Sequence, residues 1–435
     1  MADVGDHKES PYSLASHLCN VLSLLSSSPF PSIAAPQNLK KRASVALVIR
    51  ISPSHSEWPA TSSKLIIDLQ DFFTQSWVQH GHPEVLFIKR AARKGDRWTS
   101  HIALPGGKRD PEDADDLAAA IRETWEEVGL DVSQINPYVL QTGNLPQRVI
   151  TTNWGKQPLM VLCPYIFLIT RHGVPPLKLQ PTEVASCHWV PLAELLDARN
   201  RTTRQEDVTN RLANQEVGLR RWVAGVMIGK MIFSAVQLKP SESVKCTASP
   251  AVKQAGSDNS IPTQMLQRLG LQTGYETEPP LLLWGLTLGV MADFLDLLPP
   301  HNAFSLWSYP TFTPWDIRFV IWAMSFRFKR RKASQVQQIR DFRATTEAVE
   351  VGLESVSMPS EDKLREAGIS GLSTGFAATN NGLTLKSSAV STMLEGYYDI
   401  VRRAMILALV GRTAMATTVA SWIIWKIRKR AVANA

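Results

Sequence analysis

Glu123, Glu126 and Glu127 stand at i, i+3 and i+4 in the stretch LPGGKRDPEDADDLAAAIRETWEEVGL, which runs from Leu104 to Leu130. Asp115 to Val128 is rich in Ala, Leu, Ile, Glu and Arg and holds no Gly or Pro, so it is expected to be helical, with Gly129 ending it. That spacing puts the three carboxylates on one helix face. Packed like charges repel and raise one another's pKa. A bound Mg²⁺ or Mn²⁺ removes that cost, because it supplies positive charge and prefers oxygen ligands. The chemistry on offer is divalent-metal phosphate chemistry, and the bland alternative is a solvated acidic helix face. Arg122, directly before Glu123, is placed to brace a carboxylate, while Ala118, Ala119, Ile121, Trp125 and Val128 are expected to seat the helix on a core.

Gly107, Arg122, Glu123, Glu126, Glu127, Gly129 and Leu130 resemble the Nudix box, a glycine, loop and helix closed by Arg-Glu-x-x-Glu-Glu-x-Gly. The interval from Gly107 to Arg122 is longer by a residue than in the commonest form, and Asp113 or a neighbour fills its acidic middle position. This longer form is similar to the coenzyme A diphosphatase branch of the family, although that branch's upstream signature is only loosely present in LFIKRAARKGDRWTSHIALPGG.

The resemblance implies an α/β fold, an α/β/α sandwich around a mixed sheet, and hydrolysis of a nucleoside diphosphate derivative with Mg²⁺ or Mn²⁺ as cofactor. Coenzyme A or an acyl-coenzyme A leads the substrates; dinucleoside polyphosphates, nucleotide sugars and oxidised nucleotides follow. Carried over residue by residue, Glu123, Glu126 and Glu127 are the metal ligands and Arg122 orients Glu123. Glu127 and Glu183 are the candidates for general base, the alternative for Glu183 being an ordinary loop acid. Gly106 and Gly107 let backbone amides approach phosphate oxygens. Arg90 and Arg97, with Lys89, Arg93 and Lys94, are candidates for pairing with substrate phosphates or are a solvated loop. Trp98 and Trp154 receive no role. The rival from another class is a non-catalytic module that binds a nucleotide metabolite at a membrane, which would be expected to have lost box carboxylates.

The elements that must position these residues are also legible. Ser44 to Ile49, Glu84 to Lys89 and Leu159 to Ile169 read as strands, and EVASCHWVPLAELL from Glu183 reads as a strand and helix. LLLWGLTLGVMADFL from Leu281 resembles the family's closing helix. The domain so outlined covers residues 41–300, with a Ser/Pro/Lys-rich disordered insertion expected at about 239–275. Residues 1–40 read as a flexible arm with one amphipathic turn, its run at Val21 to Leu25 too short for a secretory signal.

Beyond residue 300 the composition changes. Residues 301–332 interleave Trp307, Trp315, Phe319, Trp322, Phe326 and Phe328 with basic residues, which suits a lipid headgroup interface or an added packed helix. Residues 333–398 read as a polar linker with a charged helix from Gln335 to Val351. Residues 399–435 form a hydrophobic helical extension in which Ala404 to Trp425 is long enough to span a bilayer, with Arg412 a costly charge near mid-span. A tail anchor there would fit mitochondrial, peroxisomal or endoplasmic reticulum membranes, and its alternative is a helix lying on a membrane or on the protein.

A chain of 435 residues, 44% hydrophobic and 20% charged, can bury one large domain and carry extra segments. Its net charge of +8 suits an anionic small molecule or an anionic membrane. The expected partners are a nucleotide-derived substrate and an intracellular membrane; a homodimer stands as an option. With neither a recognition helix nor zinc spacing, no nucleic acid is expected. Four scattered cysteines, Cys19, Cys163, Cys187 and Cys246, argue against a disulfide framework and for a reducing compartment.

Overall fold

The computed structural model describes residues 14–33, 41–54, 68–93, 99–152, 157–207, 228–246, 280–298, 308–350, 394 and 396–433. In chain order the elements are α1 (Leu14–Ser27), β1 (Arg42–Ser52), α2 (Leu69–Phe73), α3 (Ser76–Gln79), β2 (His82–Arg90), β3 (Ile102–Ala103), β4 (Gly106–Lys108) and α4 (Asp116–Val128). Then come β5 (Val139–Asn144), β6 (Arg148–Thr152), β7 (Gln157–Ile169), β8 (Val184–Pro191), α5 (Leu192–Leu196), β9 (Arg201–Glu206), β10 (Met231–Gln237) and β11 (Glu242–Lys245). The chain closes with β12 (Leu282–Trp284), α6 (Gly285–Leu295), β13 (Thr311–Phe312), α7 (Trp315–Glu350) and α8 (Tyr397–Ala433).

The main sheet runs β11-β8-β2-β1-β7-β5, with β3, β4 and β6 added on β2, β1 and β7. It is mixed, because β1 pairs parallel with β7 while its pairings with β2 and β4 are antiparallel. Alternation along β1 explains the layers. Ala46 and Val48 point to one face, where Ala120 and Val128 of α4 cover them. Leu47, Ile49 and Ile51 point to the other, where Leu18, Leu22, Phe72 and Phe294 close the core. The strand is buried on both faces and reads as a continuous apolar run.

Several expectations need correction. The arm of residues 1–40 is not a single turn: α1 packs Leu18, Leu22 and Leu25 into the core, a two-sided apolar pattern read too narrowly from its central run. Residues 239–246 are not disordered, since β11 pairs with β8 and Arg50 bonds Glu242 at 2.7 Å. The rest of the expected insertion, residues 247–275, lies outside the described residues, as does Trp307. The charged helix expected from Gln335 is present, as the continuation of α7 to Glu350. Trp125 is 58% exposed, so the box helix sits on Ala119, Ala120, Thr124 and Val128.

A second, four-stranded sheet joins β9, β10, β12 and β13. Its Met231 and Phe312 pack against Ile317 and Ile321 of α7 and Val401, Ala404 and Ala408 of α8. Tyr397 and Arg412 of α8 meet Phe328 and Asp316 of α7, so the two helices lie antiparallel. Arg412, expected as a costly charge near mid-span, is bonded through two nitrogens to Asp316. By length and composition, Tyr397–Arg430 is the one helix among the described residues able to cross a membrane.

Candidate functional site

The box helix begins and ends as its sequence dictates. Asp115 caps it by accepting from the Ala118 amide at 2.7 Å, and Gly129 closes it at φ +68°, donating to the Trp125 carbonyl. Orphan carbonyls at the C-terminal end are taken by the segment leading to β8: Lys178 N–H donates to Val128 O and Gln180 N–H to Glu127 O, at 2.9 and 3.0 Å. The carboxylate helix and the Glu183 loop are thus stitched together by backbone.

Gly106, at φ +146°, approaches β1 so closely that a Cβ would lie 2.2 Å from the Ser44 carbonyl oxygen, a position only glycine fills. Its amide donates to the Glu127 carboxylate at 2.8 Å. A Cβ on Gly107 would sit 2.5 Å from the Glu123 carboxylate. The glycine pair is the floor on which two of the three glutamates rest.

Those glutamates divide into different environments. Glu127 is 2% exposed, and burial pushes its pKa up to about 8. The Gly106 amide and Arg90 pull it down, while the charges of Glu123 and Glu183 push it further up. Glu123 is raised as well, first by burial, with Arg122 opposing and Glu126 and Glu183 adding. Glu126 is exposed and bonded to Arg122 at 2.9 Å. Among the described residues no three His, Cys, Asp or Glu groups are gathered around one point as the side chains stand.

Arg122 is the hub of this arrangement. It grips Asp113 through Nε at 2.9 Å and a second nitrogen at 3.0 Å, and gives further bonds to Lys108 O, Glu123 and Glu126. Asp113 is buried, and its bond to Arg122 holds its carboxyl below the ordinary range. Asp113 is therefore the acid that answers Arg122. Behind it, Arg42 holds the buried Asp116 in the first turn of α4 through Nε at 2.9 and 2.8 Å. Nothing in the local pattern announced that tie.

Glu183 lies beside the helix residues electrostatically, since its charge is felt at both Glu123 and Glu127. It is bonded to Arg93 at 2.8 Å, and Arg93 also donates to Thr182 O. A register shift between Lys89 and Arg90 in the pairing with β8, with the Ala91 amide bonded to Glu183 O, aims this corner at the helix. Of the expected phosphate-pairing residues, Arg90 contributes charge at Glu127, and Arg93 is engaged with the candidate base. Arg97, Lys94, Trp98 and Trp154 lie outside the described residues.

The donor set suits a divalent cation. It consists of carboxylate oxygens, two of whose acids have pKa values raised first by burial and further by neighbouring carboxylates, above a glycine floor that a Cβ would fill. Such a site can hold an ion, orient a diphosphate with the Arg90 and Arg93 cations, and take a proton at Glu183 or Glu127.

The family described as NUDIX domain matches residues 77–212. An uncharacterized protein of Schizosaccharomyces pombe is 31% identical over 307 residues, covering 69% of this chain and 79% of that protein. The human mitochondrial coenzyme A diphosphatase NUDT8 is 33% identical over 125 residues, which is 28% of this chain and 47% of that one. The Caenorhabditis elegans peroxisomal coenzyme A diphosphatase ndx-8 is 32% identical over 121 residues, again 28% and 47%. The chain thus spans about half the length of these two named relatives.

Proposed function

The chain belongs to the Nudix family, and on that premise we propose that it is a pyrophosphohydrolase that cleaves the diphosphate linkage of coenzyme A or an acyl-coenzyme A. The observation that carries the reaction is the buried Glu127, held by the Gly106 amide and raised to about 8 beside Glu123 and Glu183. The longer box, and the likeness of this region to proteins named coenzyme A diphosphatases, favour that substrate over dinucleoside polyphosphates and nucleotide sugars.

Glu123, Glu126 and Glu127 would hold Mg²⁺ or Mn²⁺ in this reading, and the ion would supply positive charge to the diphosphate that water attacks. Arg122 keeps Glu123 in place while Asp113 keeps Arg122 in place. Arg90 and Arg93 attract the substrate's phosphates, and Gly107 lets its oxygens approach the backbone while the Gly106 amide stays on Glu127. Glu183 takes the proton of the attacking water as the P–O bond breaks, with Glu127 the other candidate. The enzyme works at an intracellular membrane, to which its C-terminal helices hold it.

The test is hydrolysis by the full chain of coenzyme A, dinucleoside polyphosphates and nucleotide sugars, with and without Mg²⁺ or Mn²⁺. Metal-dependent turnover of coenzyme A that falls by on the order of 10³-fold in Glu126→Gln is expected. Preference for another member of the panel would overturn the substrate. Undiminished turnover in Glu126→Gln would overturn the ligand assignment, and tight binding without turnover would favour a binding module.

A further inference from the structure

We propose that α7 and α8 together form a platform that lies on an anionic membrane surface, in place of a single spanning tail. The proposal deepens, and rests on, the membrane reading above.

Trp315, Phe319, Trp322 and Phe326 recur at i, i+4, i+7 and i+11, so they share one face of α7. All four are exposed, Trp315 by 80%, and the rings of Phe319, Trp322 and Phe326 follow one another at 5.9 and 6.1 Å. Ile317 and Ile321 turn the other way, into the cluster shared with Val401, Ala404 and Ala408. The aromatic stripe is thus a second apolar face on a helix whose first face is already buried.

The geometry of α8 argues against a spanning tail. Its first part, Tyr397 to Arg412, is fixed on a folded body by the Tyr397 hydroxyl bond to Pro310 O, by the apolar cluster and by the Arg412–Asp316 pair. Hydrocarbon cannot surround a segment that a β-sheet already touches. The free apolar part, residues 413–425, is only about 20 Å long at the α-helical rise. A bilayer core is about 30 Å thick.

An interfacial seat fits both helices. Trp422 and Trp425 end the free part of α8 with Lys426 and Lys429 above their rings at 4.7 and 5.1 Å, an aromatic body with a cationic tip. The α7 stripe runs into Arg327, Arg330, Arg331 and Lys332, while Lys329 turns inward over the rings of Tyr309 and Tyr397. Rings at the headgroup boundary and cations on anionic lipid are the chemistry of a monotopic surface. A second copy of the chain would bring an equal run of cations against this one, whereas anionic lipid complements it.

The experiment is flotation of the full chain with phosphatidylcholine vesicles, with and without phosphatidylserine. Binding to the anionic vesicles that weakens with salt is expected. Replacing Trp315, Phe319, Trp322 and Phe326 together by Ser should lower it by about tenfold or more, with helical circular dichroism unchanged because the residues are exposed. Trp422→Ser with Trp425→Ser should weaken binding without abolishing it. Parent-like flotation of the stripe variant, together with complete loss in the Trp422/Trp425 variant, would overturn the platform in favour of a lone tail while keeping the membrane reading. A stripe variant that changes the oligomeric mass without lipid would assign the face to a second copy. No flotation of the parent chain would overturn the membrane reading itself.

Discussion

Arg122 in the box helix and Arg412 in the C-terminal helix use the same device, a guanidinium bonded through two nitrogens to one aspartate, with opposite consequences. Arg122 finds Asp113 only nine positions away and still has donors for Glu123, Glu126 and Lys108 O. Arg412 finds Asp316 across 96 positions and holds it through Nε and a second nitrogen. A local pair with donors to spare makes a hub that distributes charge through a site. A distant pair makes a clamp that joins two helices and leaves their other faces to something else.

Removing each arginine should therefore break different properties. Arg122→Ala leaves the buried Asp113 with the Asp110 amide but without its guanidinium, at a cost of at most about 3 kcal/mol in stability, and lets Glu123 drift, lowering turnover by roughly 100-fold. Thermal melts and steady-state hydrolysis check both effects, and Arg412→Ala in the same assays should leave hydrolysis at the parent rate. Loss of activity in Arg412→Ala would mean that the clamp feeds the site.

The hub does not balance every charge in the site, and pH exposes the remainder. Glu127 moves from an ordinary 4.5 to about 8 in the folded, metal-free protein, chiefly through burial. Between those values the folded state keeps a proton that the unfolded chain has lost. Stability is fully present below about 4.5 and declines as pH rises to about 8, by a few kcal/mol at most at ~1.4 kcal/mol per unit. Melting temperature in a chelator should fall across this range. Glu127→Gln, which can still accept from the Gly106 amide, should flatten the profile, and Mg²⁺ or Mn²⁺ should do the same in the parent by displacing the proton. A flat parent profile would show that the carboxylate is already neutralised.

The contrast also explains what could be read in advance. Asp115 and Gly129 end α4 as expected because caps act over one turn, and Glu123, Glu126 and Glu127 share a face because helix geometry is local. Arg93 on Glu183, Arg42 on Asp116 and Asp316 on Arg412 are separated by 90, 74 and 96 positions. No period or cap links such residues; only the fold does. Trp125 lies outside the core for a related reason. An apolar side chain near a helix stripe is expected inside, but α4 already fills its seat with Ala119, Ala120, Thr124 and Val128.

Gly107→Ala tests how tightly the hub holds its nearest carboxylate. The new Cβ would meet the end of the Glu123 side chain at 2.5 Å, a group that can move, unlike the backbone that crowds Gly106. A loss of about tenfold in kcat with an unchanged melting temperature is expected, because a ligand displaced by a fraction of an ångström costs rate before it costs fold. A fall in stability instead would show that Glu123 is locked rather than held.

The smallest effect belongs to the clamp. Asp316 and Arg412 are each about a quarter exposed, so water already softens the pair, and a coupling of about 1–2 kcal/mol is expected between them. The double-mutant cycle Asp316→Asn, Arg412→Leu should measure it through hydrogen exchange of residues 397–412, where loss of the pair raises local opening. Arg412→Leu alone removes a charge beside an apolar surface, so it should open the segment less than Asp316→Asn, which leaves a cation without its counter-charge. Equal opening in the two single variants would mean that the apolar cluster around Tyr397 and Val401 carries the docking and that the pair only sets its register. The clamp would then differ from the Arg122 hub in degree of solvation more than in kind.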